Sequence, residues 1–421
     1  MQVVLAHLPA AWRRVAMSRL STRPITAGAD YVAQPRVPND VRYVRTTDVK
    51  TLQTLTSDES AVGVSASEAE AALATTGDIL MTRSGSLGTS YFHQSSEPVC
   101  FAGYLVRMRP DLKRTDGRFL AWWASSQDHK DQIAVGATRS TIDNFSAAKF
   151  RAMRVPLPPL DEQRHVADFL DRETAQIDAL IEKQGNLIST LVERRTALIR
   201  HAIGGGATGG TLERRSQSWL GPVPEHWSQR PLWSMFRREK RTGFVDEPMV
   251  SVFREFGVVF KGDFDNLNVT AEDRSIYQLV EPGWLVVNRM KAWQGSLGIS
   301  AIRGISSGHY ICFRPMHSER PDFLNWLFRS PQYREGLAAN SRGVRPGQAE
   351  IDNLLLRQMP VLVPPLEEQT RIVDFLERET SKVDELIARS GLFIELARER
   401  RAALITAAVT GQLDVTRKEV A

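Results

Sequence analysis

Apolar residues recur every eleven positions in two long segments of this chain. One segment follows the proline pair at 158–159 and the other follows the pair at 364–365. The repeated apolar positions include Val166, Phe169, Leu170, Ile177, Leu180, Ile181 and Ile188 in the first segment and Ile372, Phe375, Leu376, Val383, Leu386, Ile387 and Ile394 in the second. Eleven residues in three turns correspond to about 3.67 residues per turn, close to an unperturbed α-helix. The pattern predicts two nearly straight helices, each roughly 60 Å long, that pack antiparallel so that their apolar stripes are covered.

The two segments are copies of each other. Residues 159–205 and 365–411 align without a gap and share 23 of 47 residues. Gly185 and Gly391 fall at equivalent positions in mid-helix, where they indicate either a close helix approach or a local break. Glu193, Arg194 and Arg195 recur as Glu399, Arg400 and Arg401. These charged residues fit either a solvated helix face or a contact with a subunit or a phosphate.

The longer blocks before each helix are related more weakly. The segment GDILMTRSGSLG at Gly77 resembles GWLVVNRMKAWQGSLG at Gly283, and FLAWW at Phe119 resembles FLNWL at Phe323. ILMT and WLVVN are predicted to be short buried strands, the GSLG segments tight turns between strands, and the Trp-rich segments amphipathic helices whose aromatic residues belong to the core. This order of elements predicts an αβ module that was duplicated together with its helix. The GGGATGG segment at 204–210 is predicted to be a flexible linker.

Composition and charge restrict the class of protein. The 421 residues are 42% hydrophobic and 24% charged, which is ordinary for a globular protein of two to four domains. The chain has no apolar run long enough to span a bilayer, and MQVVLAHLPA has no basic residues ahead of its apolar ones, so we expect no signal peptide. Two cysteines, Cys100 and Cys312, are too few for a disulfide framework, and a cytoplasmic location is expected. The net charge is +5 over 1–155 and +4 over 211–360, but −2 over 156–210 and −2 over 361–421. Basic blocks alternating with acidic helices would suit contacts with a polyanion and with protein, respectively.

Motifs for catalysis are missing from the sequence. We find no Walker A motif, no GxGxxG sequence opening a helix, no HExxH and no Cys/His cluster with metal-ligand spacing. The Pro-Pro pairs also lack the flanking residues typical of an amino-methyltransferase. We therefore expect a protein that is not an enzyme and holds no metal.

Both copies of PPL-[DE]-EQ, with the DFL, RET and ERRxALI elements that follow, resemble the specificity subunit of type I restriction–modification enzymes. WLGPVPEHW at Trp219 carries the same resemblance, which covers nearly the whole chain. It implies an α+β fold with two αβ target-recognition domains separated by two long antiparallel helices. In this arrangement the first target-recognition domain is 1–155, the first helical spacer 156–203, the Gly-rich linker 204–210, the second target-recognition domain 211–360, the second helical spacer 361–413 and the C-terminal tail 414–421.

The resemblance also implies a function and partners. Each domain would read one half of a bipartite double-stranded DNA site, and the helical stripes would pack together and dock methyltransferase subunits, two being expected. A restriction subunit would join that complex. The chain itself would bind no cofactor, whereas its partners would use S-adenosylmethionine and ATP with Mg²⁺.

Candidate DNA-binding residues are the polar and basic side chains of turns shared by both blocks. They are Arg83, Ser84, Ser86, Arg139 and Thr141 in the first block and Asn288, Arg289, Lys291, Arg342 and Arg345 in the second. Arginine can pair with guanine and asparagine with adenine in the major groove, but the same side chains could hold only phosphate or serve the fold. Two other functions remain open: a coiled-coil scaffold that touches DNA only non-specifically, and a stand-alone DNA-binding regulator.

Overall fold

A computed structural model describes residues 8–32, 34–136, 144–214, 217–263, 273–343 and 349–415. The chain forms two compact units. Unit 1 comprises residues 1–185 and 392–421, and unit 2 comprises residues 186–391. Each unit therefore contains one αβ block together with part of both long helices.

Unit 1 begins with an αβ block. Its strands are β1 (Arg13–Ala16), β2 (Thr26–Ala27), β3 (Gln34–Pro35), β4 (Val41–Val44), β5 (Val62–Val64), β6 (Leu73–Ala74), β7 (Ile79–Thr82), β8 (Ser90–Phe92), β9 (Val99–Phe101), β10 (Leu105–Met108) and β11 (Arg154–Leu157). Its helices are α1 (Ala66–Ala69), α2 (Gly117–Ser125), α3 (Gln127–Gly136) and α4 (Ala147–Ala152), followed by the long helix α5 (Leu160–Ile203), which continues into unit 2. The strands form a five-stranded sheet in the order β3-β5-β4-β9-β6, a four-stranded sheet in the order β2-β10-β7-β8, and the pair β1-β11.

Unit 2 repeats part of this arrangement. Its strands are β12 (Leu212–Arg214), β13 (Pro222–Pro224), β14 (Ser228–Pro231), β15 (Phe236–Arg238), β16 (Val250–Phe253), β17 (Gly257–Phe260), β18 (Gln278–Val280), β19 (Leu285–Asn288), β20 (Leu297–Ile299), β21 (Gly304–Ser306), β22 (Tyr310–Pro315), β23 (Ser341–Arg342), β24 (Glu350–Ile351) and β25 (Pro360–Val363). Its helices are α6 (Leu232–Met235), α7 (Pro321–Arg329), α8 (Pro331–Ala339), α9 (Asn353–Gln358) and the long helix α10 (Leu366–Val409), which continues into unit 1.

The part of the fold found in both units is a four-stranded sheet together with a pair of strands, the second of which directly precedes a long helix. The order β15-β22-β19-β20 in unit 2 matches β2-β10-β7-β8 in unit 1, and the pair β14-β25 matches β1-β11. In place of the five-stranded sheet, the described part of unit 2 has the separate pairs β16-β17 and β18-β21. The prediction of a duplicated αβ module is confirmed for the shared sheet, and the remainder has diverged.

The long helices are confirmed, and they run antiparallel within each unit. In unit 1, Val166 and Leu170 at the start of α5 share a core with Ile405 and Val409 at the end of α10. In unit 2, the end of α5 at 199–203 shares a core with the start of α10 at 372–376. Apolar burial against the block therefore anchors each helix at both of its ends.

Buried residues match most of the strand and core predictions. β7 is buried along its whole length, and Phe119, Trp122 and Trp123 of α2 lie in the core. The first GSLG segment forms the turn between β7 and β8 as predicted, but the second one does not, because Leu297 and Gly298 already belong to β20. Both cysteines are free and buried, and burial raises the pKa of Cys100 and Cys312 to about 11.

Two predictions about glycine need correction. A Cβ atom on Gly185 or Gly391 would meet no atom within 4 Å, and both helices continue through these positions, so there is neither a close approach nor a break. The start of the predicted flexible linker is an ordered helix end. Gly204 N donates to Arg200 O at 3.1 Å, and a Cβ on Gly205 (φ +85°) would lie 2.1 Å from Pro224 Cγ.

Candidate nucleic-acid interface

A buried glutamine ties each long helix to the block that precedes it. The Gln163 amide donates to Pro158 O at 2.8 Å and accepts from Thr115 Oγ1 at 2.9 Å and from Asp116 N at 2.8 Å. Gln369 makes the equivalent bonds, donating to Pro364 O at 2.9 Å and accepting from Arg320 N at 3.0 Å. Since Asp116 and Arg320 stand directly before α2 and α7, these amides fix how each helix leaves its block.

The neighbouring glutamate makes a second tie. Glu162 accepts from the Trp12 indole at 2.9 Å, and Glu368 accepts from the Trp227 indole at 2.8 Å. Although burial raises the pKa of Glu368, hydrogen bonds from Trp227 and His226 hold that pKa below its usual value. The Glu-Gln pair and the upstream tryptophan were visible in the sequence only as repeated motifs. Their structural role could not be inferred there, because the glutamines bond residues almost 50 positions away and the glutamates bond tryptophans more than 140 positions away.

The first residue after the central strand is an arginine with the same backbone setting in both units. Arg83 N donates to Tyr104 O at 2.9 Å and Arg83 O accepts from Phe145 N at 2.8 Å. Arg289 N donates to His309 O and Arg289 O accepts from Ile351 N, each at 3.0 Å. This shared arginine is thus held at the end of the same strand by the same two kinds of bond.

The side chains around the shared arginine differ between the units. The Arg83 guanidinium reaches the Asn144 amide oxygen at 3.4 Å, whereas Arg289 forms an ion pair with Glu350. Glu350 lies opposite Arg342 in the β23-β24 hairpin, and Arg342, which is 75% exposed, faces Asp352 at 3.7 Å. In unit 2, therefore, two predicted DNA-binding residues, Arg289 and Arg342, are brought together at one hairpin and are paired with carboxylates.

A cleft of about 880 Å³ opens beside this hairpin in unit 2. Its basic lining residues are Lys261, Arg289, Lys291 and His309, and its polar ones include Asn288, Ser251 and Ser307. The predicted residues Asn288, Arg289 and Lys291 are thus gathered on one wall. Cationic side chains beside amide and hydroxyl groups can hold phosphate and also present hydrogen-bonding groups to base edges.

The other predicted residues are placed as follows. Ser86 is exposed in the turn between β7 and β8, while Ser84 is buried. Ser84 stays a predicted contact. Arg139, Thr141 and Arg345 lie outside the described residues.

The helical stripes divide into covered and exposed parts. Val166, Leu170, Ile372, Leu376 and Val383 are buried. Phe169, Ile177, Ile181, Ile188, Phe375, Ile387 and Ile394 are partly buried. The equivalent residues Leu180 and Leu386 are 46% and 48% exposed, so the packing of the two helices leaves part of each stripe uncovered.

The repeated Glu-Arg-Arg elements do not lie on a purely solvated face. Arg195 forms an ion pair with Asp384 at 2.7 Å in unit 2. Arg401 forms one with Asp178 at 2.8 Å in unit 1. Both arginines are the last residue of the element, and each joins the two long helices. These two side chains therefore link α5 to α10. The sequence predicts a solvated face or a contact with a subunit or phosphate, and neither interpretation includes this role.

Within the described ranges, no group of three or more His, Cys, Asp or Glu side chains could hold a metal ion. Of the helices in the described part, none is long and apolar enough to cross a membrane.

This chain is similar in sequence and fold to known proteins. Residues 27–189 match the family described as the type I restriction modification DNA specificity domain. The chain is similar to type I restriction–modification specificity subunits, and its alignments span about three fifths of the length of these relatives. It is 25% identical over 298 residues to the EcoKI specificity subunit of Escherichia coli (strain K12) and 24% identical over 288 residues to the StySPI specificity subunit of Salmonella potsdam. Each alignment covers 66% of this chain and 61% of the relative.

Solved structures show the same fold along almost the whole length of this chain. One chain from a structure of a type I R-M system aligns with 97% of this chain and 100% of its own length, with a TM-score of 0.68 and 16% identity. The HsdS subunit from Thermoanaerobacter tengcongensis aligns with 98% of this chain and 100% of its own, with a TM-score of 0.52 and 16% identity. The α+β fold with two long helices is therefore shared with these proteins.

Proposed function

We propose that this chain is the sequence-specific DNA-recognition subunit of a type I restriction–modification complex. In this proposal the blocks 1–155 and 211–360 are target-recognition domains, each reading one half of a bipartite site. The helical spacers 156–203 and 361–413 set the distance between the two half-sites. A rigid spacer restricts binding to DNA whose half-sites are the right distance apart, which a flexible connection would not do.

The observation that carries this proposal is the pair of equivalent arginines in different surroundings. Arg83 and Arg289 have the same two backbone bonds, but one faces Asn144 and the other Glu350. The backbone around this arginine is the same in both units, but the neighbouring side chains differ. Two modules that bind different DNA sequences would be expected to differ in this way. In unit 1 the proposed interface includes Arg83 and Ser86. In unit 2 it includes Asn288, Arg289, Lys291 and Arg342, and the predicted residues Arg139, Thr141 and Arg345 remain proposed contacts.

The exposed part of the helical stripes is the proposed docking surface for methyltransferase subunits. Leu180 and Leu187 of α5 are exposed, as are Leu386 and Phe393, which occupy the equivalent positions of α10. Two equivalent apolar patches would suit two copies of the same partner. Large exposed apolar side chains are typical of protein–protein contact sites.

We further propose that the chain carries out no chemistry. Its methyltransferase partners would use S-adenosylmethionine, and a restriction subunit, where present, would use ATP and Mg²⁺. This assignment rests on the relatives, which are specificity subunits, and on the absence of catalytic motifs from the sequence.

A competition experiment tests the recognition step. The chain is purified with its methyltransferase subunit and bound to a labelled duplex that carries its recognition site. The proposal expects unlabelled duplex of the same sequence to displace the label at concentrations at least about 1,000-fold lower than scrambled duplex, as is usual for specific binding. Equal displacement by both duplexes would favour a scaffold with non-specific DNA contact.

A further inference from the structure

A second basic cleft in unit 2 lies apart from the proposed base-reading residues. It has a volume of about 420 Å³ and is formed by α5, the turn between β16 and β17, and helices α7 and α8. Four arginines line it: Arg195, Arg254, Arg329 and Arg334. Glu255 is the acidic residue among its lining side chains.

Arg329 lies deepest in this cluster. Its Nη2 donates to Glu255 O at 2.6 Å and to Arg254 O at 3.1 Å, so backbone carbonyls hold the guanidinium over the turn. Its Nε is buried and has no hydrogen-bond partner among the described residues. Burial and the nearby Arg195 lower the pKa of Arg329, while Glu255 opposes this effect. A partly buried cation with an unused buried donor next to another cation is unfavourable unless an anion joins it.

Two further arginines carry charge that the described part of the chain does not neutralise. Arg195 is paired with Asp384 at 2.7 Å. By contrast, no described carboxylate lies within ion-pair distance of Arg254 or Arg334. The planar guanidinium donates two parallel hydrogen bonds to a phosphate, so arginine clusters of this kind are suited to phosphate groups.

The repeat shows that the arginine at position 329 is specific to unit 2. Helices α2 and α7 are equally long and align through FLAWW and FLNWL. In this alignment Ser125 stands where unit 2 has Arg329, and Lys130 stands where it has Arg334. Arg401 likewise stands where unit 2 has Arg195, so a cation is kept at two positions, whereas the most deeply placed arginine of the cleft, Arg329, has no basic equivalent in unit 1.

We propose that this cleft binds a ligand with two or more phosphate groups. The phosphates could belong to the backbone of a nucleic acid or to a free polyphosphate chain such as that of a nucleoside triphosphate. The inference does not rest on sequence-specific recognition, because phosphate contacts carry no base information.

The test compares two charge-matched double variants of the full chain. R254Q/R334Q removes two cleft arginines, and R237Q/R238Q removes two exposed arginines of β15 for which no described ion pair exists. Binding of sodium tripolyphosphate is measured by calorimetry. Binding of a 20-base-pair duplex that lacks any recognition site is measured by fluorescence anisotropy over a range of salt concentrations.

If the cleft binds free polyphosphate, R254Q/R334Q should weaken tripolyphosphate binding at least about tenfold, and R237Q/R238Q should change it less than about twofold. Cleft binding of a nucleic-acid backbone instead predicts that only R254Q/R334Q lowers the salt dependence of duplex binding, by about two phosphate contacts. Equal effects of both double variants, or no effect of R254Q/R334Q on either ligand, would overturn the proposal. Because the duplex has no recognition site, failure here leaves the proposed recognition function untouched.

Discussion

At the scale of single residues, His129 has the most buried side-chain atoms without a hydrogen-bond partner among the described residues of unit 1. It is fully buried between Trp123 and Phe150, and neither ring nitrogen has a hydrogen-bond partner among the described residues. Burial lowers the pKa of His129 to about 3, with a smaller opposing effect of Asp128 and a reinforcing one of Lys130. Native His129 therefore stays neutral at pH values where the unfolded chain would bind a proton.

This histidine makes the stability of the chain pH-dependent. Between its unfolded pKa of about 6.5 and its folded pKa of about 3, the unfolded state binds one more proton, so stability falls as the pH falls, by up to about 1.4 kcal/mol per pH unit. We expect His129→Leu to reduce this slope in chemical unfolding of the full chain at pH 4.5 to 7. The exposed His165→Gln variant is the control and should keep the slope. Identical slopes for all three proteins would contradict the assignment.

Gln163 should contribute more to stability than an average glutamine. Gln163→Ala leaves the Asp116 N–H and the Pro158 carbonyl without their bonds, which we expect to cost about 2–4 kcal/mol of the free energy of unfolding. Gln176, exposed on the same helix, is the matched control, and Gln176→Ala should cost less than about 0.5 kcal/mol. Denaturant unfolding measures both, and equal losses would show that the amide does not tie α5 to its block.

At the scale of elements, the long helices were predictable because an eleven-residue apolar period is a local signal. The strands β7 and β19 were predictable for the same reason, as short apolar runs. What Gly185 does was not predictable, because close packing depends on a partner helix that the sequence does not locate. The proposed DNA contacts are the least predictable, since a turn arginine such as Arg289 looks the same in sequence whether it binds DNA or, as in this structure, pairs with Glu350.

Three glycines, one in α5, one in α10 and one just after α5, give predictions of opposite sign. Gly185→Ala and Gly391→Ala should each stabilise the chain by about 0.5–1 kcal/mol, because alanine favours helix and the added Cβ meets no neighbour. Gly205→Ala should destabilise it, because φ is +85° and Pro224 occupies the space. Thermal unfolding of the three variants checks this. A destabilising effect at Gly185 would mean that something packs against it after all.

At the scale of the whole molecule, the uncovered leucines of the two helices should matter for assembly and little for folding. We expect the double variant L180E/L386E to keep the unfolding temperature of the chain within a few degrees, because both side chains are about half exposed already. Co-purification of the methyltransferase subunit should be lost. Gln176→Glu, an exposed polar position on α5, introduces charge without removing an apolar side chain and should retain the partner. Retention by L180E/L386E would place the docking surface elsewhere.

The central claim is that two modules of one chain read two halves of one DNA site. Its most direct test is to co-express the chain with a methyltransferase subunit from the same genome and to map methyladenine across the host chromosome. We predict a bipartite motif with a spacer of fixed length that disappears when the chain is omitted. The variant N288A/K291A alters the larger cleft of unit 2, which Asn288 and Lys291 line. Its sequence specificity should change in one half of the motif only. A contiguous motif, or methylation that persists without this chain, would contradict the account.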